Sequence, residues 1–345
     1  MKQYTSLYFV GAGGIGMSAL VRYFLAKGYK VAGYDRTQSP LTTELKTEGL
    51  EIVYEESVES IPDYCRNPET TLVVYTPAIP ASHAGLVYFR EHGFRVVKRA
   101  ELLGLITQSS KGLCFAGTHG KTTTSSMAAH IFHESPIGCN AFLGGILRNY
   151  NSNLILSEQS PFTVIEADEY DRSFHWLHPY MAVVTATDPD HLDIYGTEEA
   201  YLESFARFTS LIQPGGCLIM KKGIKLVPSV KENVKIYTYS ARDGGDFHAG
   251  NIRIGDGTIV FDFVMPEGSV ADIELGVPVE INIENAVAAM AIAWLNGVSG
   301  DDMRRAMASF KGAKRRFEFW VRRPDRVMID AVSYTHLRAH ETGAY

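Results

Sequence analysis

The stretch "AGTHGKTTT", from Ala116 to Thr124, constrains the fold of this chain more than any other part of its sequence. An apolar run leads into it, two glycines bound a short loop, and a helical pattern begins at Lys121. Backbone N–H groups of such a loop point inward and cradle phosphate oxygens. In that arrangement Lys121 can reach the β- and γ-phosphates, and the Thr122 hydroxyl can ligate Mg²⁺. The stretch therefore predicts a strand, a phosphate-binding loop and a helix, with ATP as the ligand.

This loop, residues 117–122, is called the lysine loop below. Its spacing differs from the full G-x-x-x-x-G-K-[ST] pattern, because Phe115 stands where the first glycine belongs and Gly117 is the upstream glycine instead. A glycine-rich helix start without a ligand is the alternative interpretation, but strand, loop and helix all agree with a nucleotide site. His119 either shapes the loop or contacts the phosphates or a second substrate. The predicted ATP-binding residues here are Gly117, Thr118, His119, Gly120, Lys121, Thr122 and Thr123.

A further glycine-rich loop, residues 11–16, lies near the start of the chain in "YFVGAGGIGMSAL" and is called the glycine loop below. Gly11, Gly13 and Gly16 have G-x-G-x-x-G spacing after a predicted strand, and the next predicted strand ends just before Asp35. Taken alone, this pattern is typical of a dinucleotide site with an acidic residue for the ribose. A dehydrogenase, however, has no need of an ATP loop. Two such loops in consecutive domains favour a nucleotide-linked substrate at the first and ATP at the second, and they disfavour an NAD oxidoreductase.

Predicted strands and helices alternate along residues 1–107, which is typical of a Rossmann-like domain with a parallel sheet covered by helices. Residues 108–313 are predicted to form a second α/β domain of the P-loop type, with a strand-rich segment at residues 217–275. The predicted strands of the first domain are Leu7–Val10, Lys30–Tyr34, Glu51–Tyr54, Thr71–Tyr75 and Arg95–Lys98. The predicted helices of the second domain are Lys121–His133, Thr197–Ile212, Asn282–Leu295 and Asp301–Phe310.

Charge and composition exclude several classes of protein. The 345-residue chain has a formal net charge of −6, so a bulk electrostatic attraction to nucleic acid is not expected. It has no apolar run near the roughly 20 residues of a membrane span and no N-terminal secretion signal. Its four cysteines lie far apart, which predicts reduced thiols and neither a zinc ribbon nor a redox dithiol. These features predict a cytoplasmic protein that binds neither nucleic acid nor membrane.

Five motifs occur along the chain in the order "GAGGIGMSAL", "GTHGKTTT", "EADEYDRSF", "DPDHLD" and "KGAKRRFE". This ordered set resembles that of the Mur ligases, and the resemblance covers residues 1 to about 330. It implies that the first domain binds a UDP-sugar, whose diphosphate faces the glycine loop, and that the second binds ATP and Mg²⁺. The implied reaction joins L-alanine to the carboxylate of UDP-N-acetylmuramate through an acyl phosphate, in peptidoglycan synthesis.

Two alternatives stay open within this resemblance. A ligase that recycles murein peptides uses the same UDP-sugar but attaches a preformed peptide to it. A nucleotide-binding chain without catalysis is the other alternative. The glycine loop sequence "GAGGIGMS" favours the alanine ligase, whereas the amine-binding site belongs to a third domain that hardly begins here. The sequence does not indicate an oligomeric state.

The resemblance assigns chemistry to polar residues that follow predicted strands of the second domain. Glu166 ends the apolar run of "VIEADEYD", and a carboxylate at the carboxyl end of a strand can hold Mg²⁺ beside the phosphate loop. His191, in "DPDHLD", is implied to serve a second metal ion, while Asp168 and Glu169 are expected to support the site. The implied catalytic residues are Lys121, Glu166 and His191, and the implied metal ligands are Thr122, Glu166 and His191.

The resemblance also implies positions that bind the nucleotides. Asn285 is implied to lie near the adenine and Arg316 near the ATP phosphates. Relatives usually carry histidine at the position of Ile281, so stacking on adenine is not expected there. Arg99 and Glu101 match a family stretch at the junction of the first two domains, without an assigned role. The implied substrate-binding residues are Gly11, Gly13, Gly14, Ile15, Gly16, Asp35, His119, Gly144 and Gly145.

The end of the chain departs from the family pattern. Residues 314–330 are expected to form a hinge and the first strand of a third domain, with Val327–Asp330 frayed. Residues 331–345 match nothing in the family and are expected to be a foreign tail. Because the third domain supplies the amine site and the closure over ATP, we expect an inactive fragment that binds the UDP-sugar without ligating L-alanine.

Overall fold

The computed structural model describes residues 3–242, 244–314, 318–323 and 326–330. The strands of its first sheet are β1 (Ser6–Val10), β2 (Lys30–Tyr34), β3 (Glu51–Val53), β4 (Thr71–Tyr75) and β5 (Arg95–Lys98). All of them run parallel, in the order β3-β2-β1-β4-β5. Every residue of β1 is buried, as expected for the central strand of a sheet that helices cover on both faces.

Helices connect these strands and begin where the sequence supplies a suitable first turn. They are α1 (Ile15–Ala26), α2 (Pro40–Thr47), α3 (Ala84–Glu91) and α4 (Arg99–Gln108). The start of α2 is a capping box, in which the Ser39 side chain accepts from the Thr42 N–H and the Thr42 hydroxyl accepts from the Ser39 N–H. The last two residues of the glycine loop, Ile15 and Gly16, already belong to α1, so the loop fixes the position of the helix N-terminus.

The second sheet is larger and contains the strand-rich segment. Its order is β15-β14-β13-β12-β11-β10-β6-β9-β7-β8, with antiparallel pairs at both ends and parallel pairs between them. Its strands are β6 (Lys111–Ala116), β7 (Asn140–Leu147), β8 (Ser152–Ile155), β9 (Phe162–Glu166), β10 (Pro179–Val184), β11 (Cys217–Lys221), β12 (Lys235–Ser240), β13 (Phe247–Gly255), β14 (Thr258–Met265) and β15 (Gly268–Glu274).

Helices of this second unit pack against its sheet and enclose an apolar core. The helices are α5 (Lys121–His133), α6 (Leu192–Tyr195), α7 (Glu198–Ser210), α8 (Ile281–Leu295) and α9 (Gly300–Ser309). Helix α8 is alanine-rich, which lets it approach α5 closely, and both helices bury most of their residues. Short 3₁₀ segments lie at Asp63–Cys65 and Tyr170–Trp176.

The two units touch through α1 and the β7–β8 hairpin. The rings of Tyr23 and Phe142 pack with centroids 5.1 Å apart. The buried side-chain amide of Asn153 donates to the carbonyl oxygen of Ile15 at 2.5 Å, in the first turn of α1. This hydrogen bond joins the glycine loop directly to the larger sheet.

The predicted fold class is confirmed: a Rossmann-like parallel sheet precedes a larger α/β unit with a strand-rich segment. A last antiparallel pair joins β16 (Glu318–Arg323) to β17 (Arg326–Asp330). The expectation that Val327–Asp330 is frayed was wrong, because the preceding segment supplies a pairing partner for it. Arg316 and residues 331–345 lie outside the described residues, and the domain boundaries remain predictions. Across the described part of the chain, no helix has both the length and the apolarity that a membrane crossing needs.

Candidate active site

The glycine loop joins β1 to α1 and turns sharply at its first residue. Gly11 has a φ of +91°, in the region that favours glycine over other residues. Its N–H donates to the carbonyl oxygen of Tyr34 at 2.8 Å, which holds the loop against β2. Ile15, the first residue of α1, is 47% exposed. The loop thus presents the N-terminus of a twelve-residue helix to its surroundings.

Asp35 lies beside the glycine loop, where the sequence predicts an acidic residue. Its Oδ2 accepts a hydrogen bond from the Gly13 N–H at 2.7 Å, and its Oδ1 accepts from the Thr37 N–H at 3.1 Å. A Cβ atom at Gly13 would lie 2.8 Å from Oδ2 of Asp35, so this position has no room for a side chain. Asp35 therefore supports the loop backbone as well as lining the space beside it.

The lysine loop joins β6 to α5 and also turns through glycines. Gly117 and Gly120 have φ values of +139° and +82°. The Thr118 hydroxyl donates to the carbonyl oxygen of Asp188 at 2.7 Å and lies 2.8 Å from the hydroxyl of buried Tyr201. These contacts hold the loop against the segment that follows β10.

Lys121, the first residue of α5, is folded back onto its own loop. Its Nζ donates to the carbonyl oxygen of Gly117 at 2.6 Å and lies 2.8 and 2.7 Å from the two carboxylate oxygens of Glu169. Glu169 is only 2% exposed, and burial raises the pKa of its carboxyl, whereas the ammonium of Lys121 opposes that rise. A buried acid thus sets the position of the lysine.

Thr122 and Glu166 meet at the carboxyl ends of neighbouring strands. The Thr122 hydroxyl donates to Oε1 of Glu166 at 3.0 Å, and the Gly144 N–H donates to Oε2 at 3.1 Å. A Cβ atom at Gly144 would lie 2.2 Å from Oε2, so a side chain at this position would displace the Glu166 carboxylate. Because β6 and β9 are parallel neighbours, the loop after one and the acid ending the other fall at the same edge of the sheet.

A cavity of about 780 Å³ connects the two units. The glycine loop and the end of β2 line one side of it, and Arg99 lies on its wall. Gly144, Glu166 and Asp168 line the opposite side. A ligand bound at the glycine loop can therefore extend to the carboxylate that touches the first turn of α5.

Two of the three predicted metal ligands are in contact, and the third has other described neighbours. Thr122 and Glu166 supply adjacent hard oxygen atoms, which fit Mg²⁺, an ion that usually takes one or two protein carboxylates together with phosphate and water oxygens. His191 has a φ of +53°, and its ring lies 5.2 Å from that of Tyr170. Among the described residues, no group of three or more histidine, cysteine, aspartate or glutamate side chains is arranged to hold a metal ion.

Asn285 reaches the lysine loop from α8. Its Oδ1 accepts from the Thr124 hydroxyl at 3.1 Å, and a Cβ atom at Gly120 would lie 3.0 Å from the same oxygen. Ile281, at the start of α8, is 51% exposed and presents an aliphatic side chain. The structure thus brings Asn285 to the predicted loop, while Ile281 offers no aromatic surface.

Sequence reasoning did not find the partner of Lys121. Four acids occur within six residues of "EADEYD", and such a cluster requires a cation nearby. That charge crowding was the available signal, but it did not indicate which acid pairs with which cation. The pairing depends on where the turn after β9 places each side chain.

Two family models and a curated relative match this chain. The family model described as Mur ligase family, catalytic domain, matches residues 6–111, and the model described as Mur ligase middle domain matches residues 115–293. A curated relative from Parabacteroides distasonis is 64% identical over 336 residues, which are 97% of this chain and 72% of the relative. The chain belongs to the Mur ligase family.

Individual Mur ligases add detail to this assignment. The Parabacteroides relative is named UDP-N-acetylmuramate–L-alanine ligase, as is a relative from Phocaeicola vulgatus that is 62% identical over 331 residues, 96% of this chain and 72% of that protein. A solved UDP-N-acetylmuramate-alanine ligase from Thermotoga maritima has a TM-score of 0.79 at 24% identity, covering 96% of this chain and 74% of that one.

A Mur ligase named for a different amine has nearly the same fold. The UDP-N-acetylmuramate:L-alanyl-γ-D-glutamyl-meso-diaminopimelate ligase from Neisseria meningitides has a TM-score of 0.78 at 22% identity, covering 90% of this chain and all of that one. Two nearly equal scores do not separate the two activities. Within the Mur ligases, the fold therefore fixes the architecture, and the substrate must be argued from the closer relatives and the site.

Proposed function

We propose that this chain is an ATP-dependent ligase that joins L-alanine to the carboxylate of UDP-N-acetylmuramate in the cytoplasm. Relatives at 62–64% identity are named for this pair of substrates. The observation that carries the proposal is the shared cavity, which the glycine loop lines on one side and Glu166 on the other. A sugar nucleotide held at the glycine loop would direct its carboxylate toward the lysine loop.

The lysine loop would receive the triphosphate of ATP. An ammonium group has three N–H donors, and the described contacts of Lys121 are with Gly117 and Glu169. A change of side-chain torsion would turn Nζ toward a phosphate oxygen beyond the N-terminus of α5. Lys121 would then reduce the repulsion between the triphosphate and the approaching carboxylate.

Thr122 and Glu166 are the residues that would hold Mg²⁺. When bound, the ion would supply positive charge beside the phosphates, which lowers the cost of bringing another anion close. His191 remains a predicted ligand of a second metal ion, on the resemblance alone. Asn285 would support the loop from α8, next to the nucleotide.

The proposed reaction has two steps. An oxygen of the sugar carboxylate attacks the γ-phosphorus of ATP, ADP leaves, and an acyl phosphate forms. The amine nitrogen of L-alanine then attacks the acyl carbon, phosphate leaves, and the nitrogen loses a proton as the amide forms. The protein's task in both steps is to position the groups and to neutralise charge, not to supply a covalent nucleophile.

Release of phosphate tests this proposal and its alternatives. In the chain extended after Asp330 by a relative's third domain, we expect release that depends on both UDP-N-acetylmuramate and L-alanine, and that is lost in Glu166→Ala while UDP-sugar binding is kept. Release with the preformed peptide but not with L-alanine would instead identify a peptide-recycling ligase. Binding of both nucleotides without release from either amine would identify a nucleotide-binding chain without catalysis.

A further inference from the structure

Arg99 has an unusual position at the junction of the two units. It is the first residue of α4, it is half-buried, and it lines the cavity. Its guanidinium group lies against Gly16: a Cβ atom at Gly16 would come 2.4 Å from Nη1 and 2.9 Å from Cζ of Arg99. The last glycine of the glycine loop therefore makes room for an arginine that comes from a distant part of the sequence.

The cations that flank Arg99 already have acidic partners. Lys98 pairs with Asp171 at 2.8 Å, and Arg95 pairs with Glu101 at 3.3 Å. No hydrogen bond or ion pair with the described residues engages the guanidinium of Arg99. A guanidinium group carries five N–H donors, and Arg99 lines a cavity next to a helix N-terminus.

The acids that line the same cavity accept hydrogen bonds from other groups. Asp35 accepts from the glycine loop, and Glu166 accepts from Thr122 and Gly144. Glu56 accepts from the Ala84 N–H at 2.8 Å, and Asp168 accepts from the Tyr170 N–H at 3.1 Å. None of these four carboxylates forms an ion pair with Arg99, so its guanidinium can pair with an anionic group of a ligand.

We propose that Arg99 binds an anionic group of the UDP-sugar. This inference rests on the proposed function and adds a specificity-determining residue to it. The planar guanidinium fork matches both phosphate and carboxylate oxygens. The ligand offers two such anions, the diphosphate and the carboxylate of the muramic acid. Both would lie in the cavity that Arg99 and the glycine loop share.

Calorimetric titration with three ligands distinguishes the two anions. UDP and UDP-N-acetylglucosamine carry the diphosphate without the carboxylate, whereas UDP-N-acetylmuramate carries both. We expect Arg99→Gln to weaken UDP-N-acetylmuramate binding by roughly 10- to 150-fold, the loss of a charge-assisted hydrogen bond. Equal weakening of all three ligands assigns Arg99 to the diphosphate, and weakening of UDP-N-acetylmuramate alone assigns it to the carboxylate.

Matched variants keep the test independent of folding. Arg95→Gln removes an exposed arginine of the same segment and is expected to leave all three affinities unchanged. Arg99→Lys keeps the charge but not the fork, and is expected to bind more tightly than Arg99→Gln. Unchanged affinities in both Arg99 variants, with the unmodified chain still binding the UDP-sugar, would overturn the inference. If the unmodified chain bound no UDP-ligand, the proposed function itself would fail.

Discussion

The glycine loop and the lysine loop each join a buried parallel strand to the N-terminus of a helix, but the charges around them are arranged in opposite ways. At the glycine loop the acid Asp35 accepts from the loop backbone, and the cation Arg99 comes from α4. At the lysine loop the cation belongs to the loop itself, and the acids Glu166 and Glu169 contact its side chains.

This difference indicates how one local geometry serves two ligands. Both loops offer backbone N–H groups and a helix N-terminus, which favour phosphate in general. The side chains near each loop determine whether it suits a triphosphate with a metal ion or a diphosphate without one. A hydroxyl and a carboxylate 3.0 Å apart suit a metal-bound triphosphate. At the glycine loop the Asp35 carboxylate accepts from a backbone N–H instead, and the nearby cation is an arginine, which suits a phosphate bound without a metal.

The largest effect is expected from removing the cation of the lysine loop. Lys121→Ala should weaken Mg-ATP binding by about 1.5–3 kcal/mol, or roughly 10- to 150-fold, because a charge-assisted hydrogen bond is lost. Affinity for the UDP-sugar should stay unchanged in the same calorimetric titration. Lys111→Ala, at the opposite end of β6, is the matched control. Unaltered Mg-ATP affinity in Lys121→Ala would contradict the assignment of ATP to the lysine loop.

The reciprocal change acts on the glycine loop. A Cβ atom at Gly13 would lie 2.6 Å from Cγ2 of Thr42 and 2.8 Å from Oδ2 of Asp35, whereas one at Gly14 meets nothing nearer than Met17 Cγ at 3.9 Å. We expect Gly13→Ala to weaken UDP-sugar binding by about 1–3 kcal/mol through overpacking of the loop. Gly14→Ala should bind normally, and Mg-ATP affinity should not change in either variant. A Gly13→Ala variant that loses both ligands equally would argue against separate sites.

A third contrast lies in the helices that follow the loops. Helix α1 contains no histidine, whereas α5 buries His130, which lies 2.6 Å from the Tyr150 hydroxyl and 2.9 Å from that of Ser309. Burial lowers the pKa of His130 to about 4. The unfolded chain, with a histidine pKa near 6.5, therefore takes up the proton first as pH falls, and stability is lost through that interval. We expect a loss of about 2 kcal/mol between pH 7 and pH 5.

Urea unfolding at the two pH values measures this loss. In His130→Gln the loss should be smaller by that amount, whatever the stability of the variant at pH 7. His133→Gln, which changes an exposed histidine of the same helix, should behave like the unmodified chain. The same pH dependence of stability in His130→Gln and in the unmodified chain would show that His130 does not cause the loss.

Much of this fold follows from local sequence patterns. The bounds of β2, β4, β5 and α5 agree with the prediction residue for residue, because β-branched runs, turn residues and the lysine loop mark them clearly. The meeting of Thr122 with Glu166 is also predictable, since parallel neighbouring strands bring their carboxyl ends to one edge.

The remaining contacts join residues that are distant along the chain. Lys121 and Glu169 are 48 positions apart, and Asn153 and Ile15 are 138 positions apart. Periodicity specifies which face of a helix is buried, but not which distant polar group it meets there. The approach of Arg99 to Gly16 belongs to the same class, because it depends on how α4 and α1 pack.

The central claim is that two loops bind two different nucleotide ligands at separate sites. Isothermal titration of the 345-residue chain with UDP-N-acetylmuramate, Mg-ATP and NADH in turn tests it most directly. The account predicts one site for each of the first two ligands, no competition between them, and no binding of NADH. Binding of NADH in place of UDP-N-acetylmuramate, or displacement of one nucleotide by the other, would contradict it.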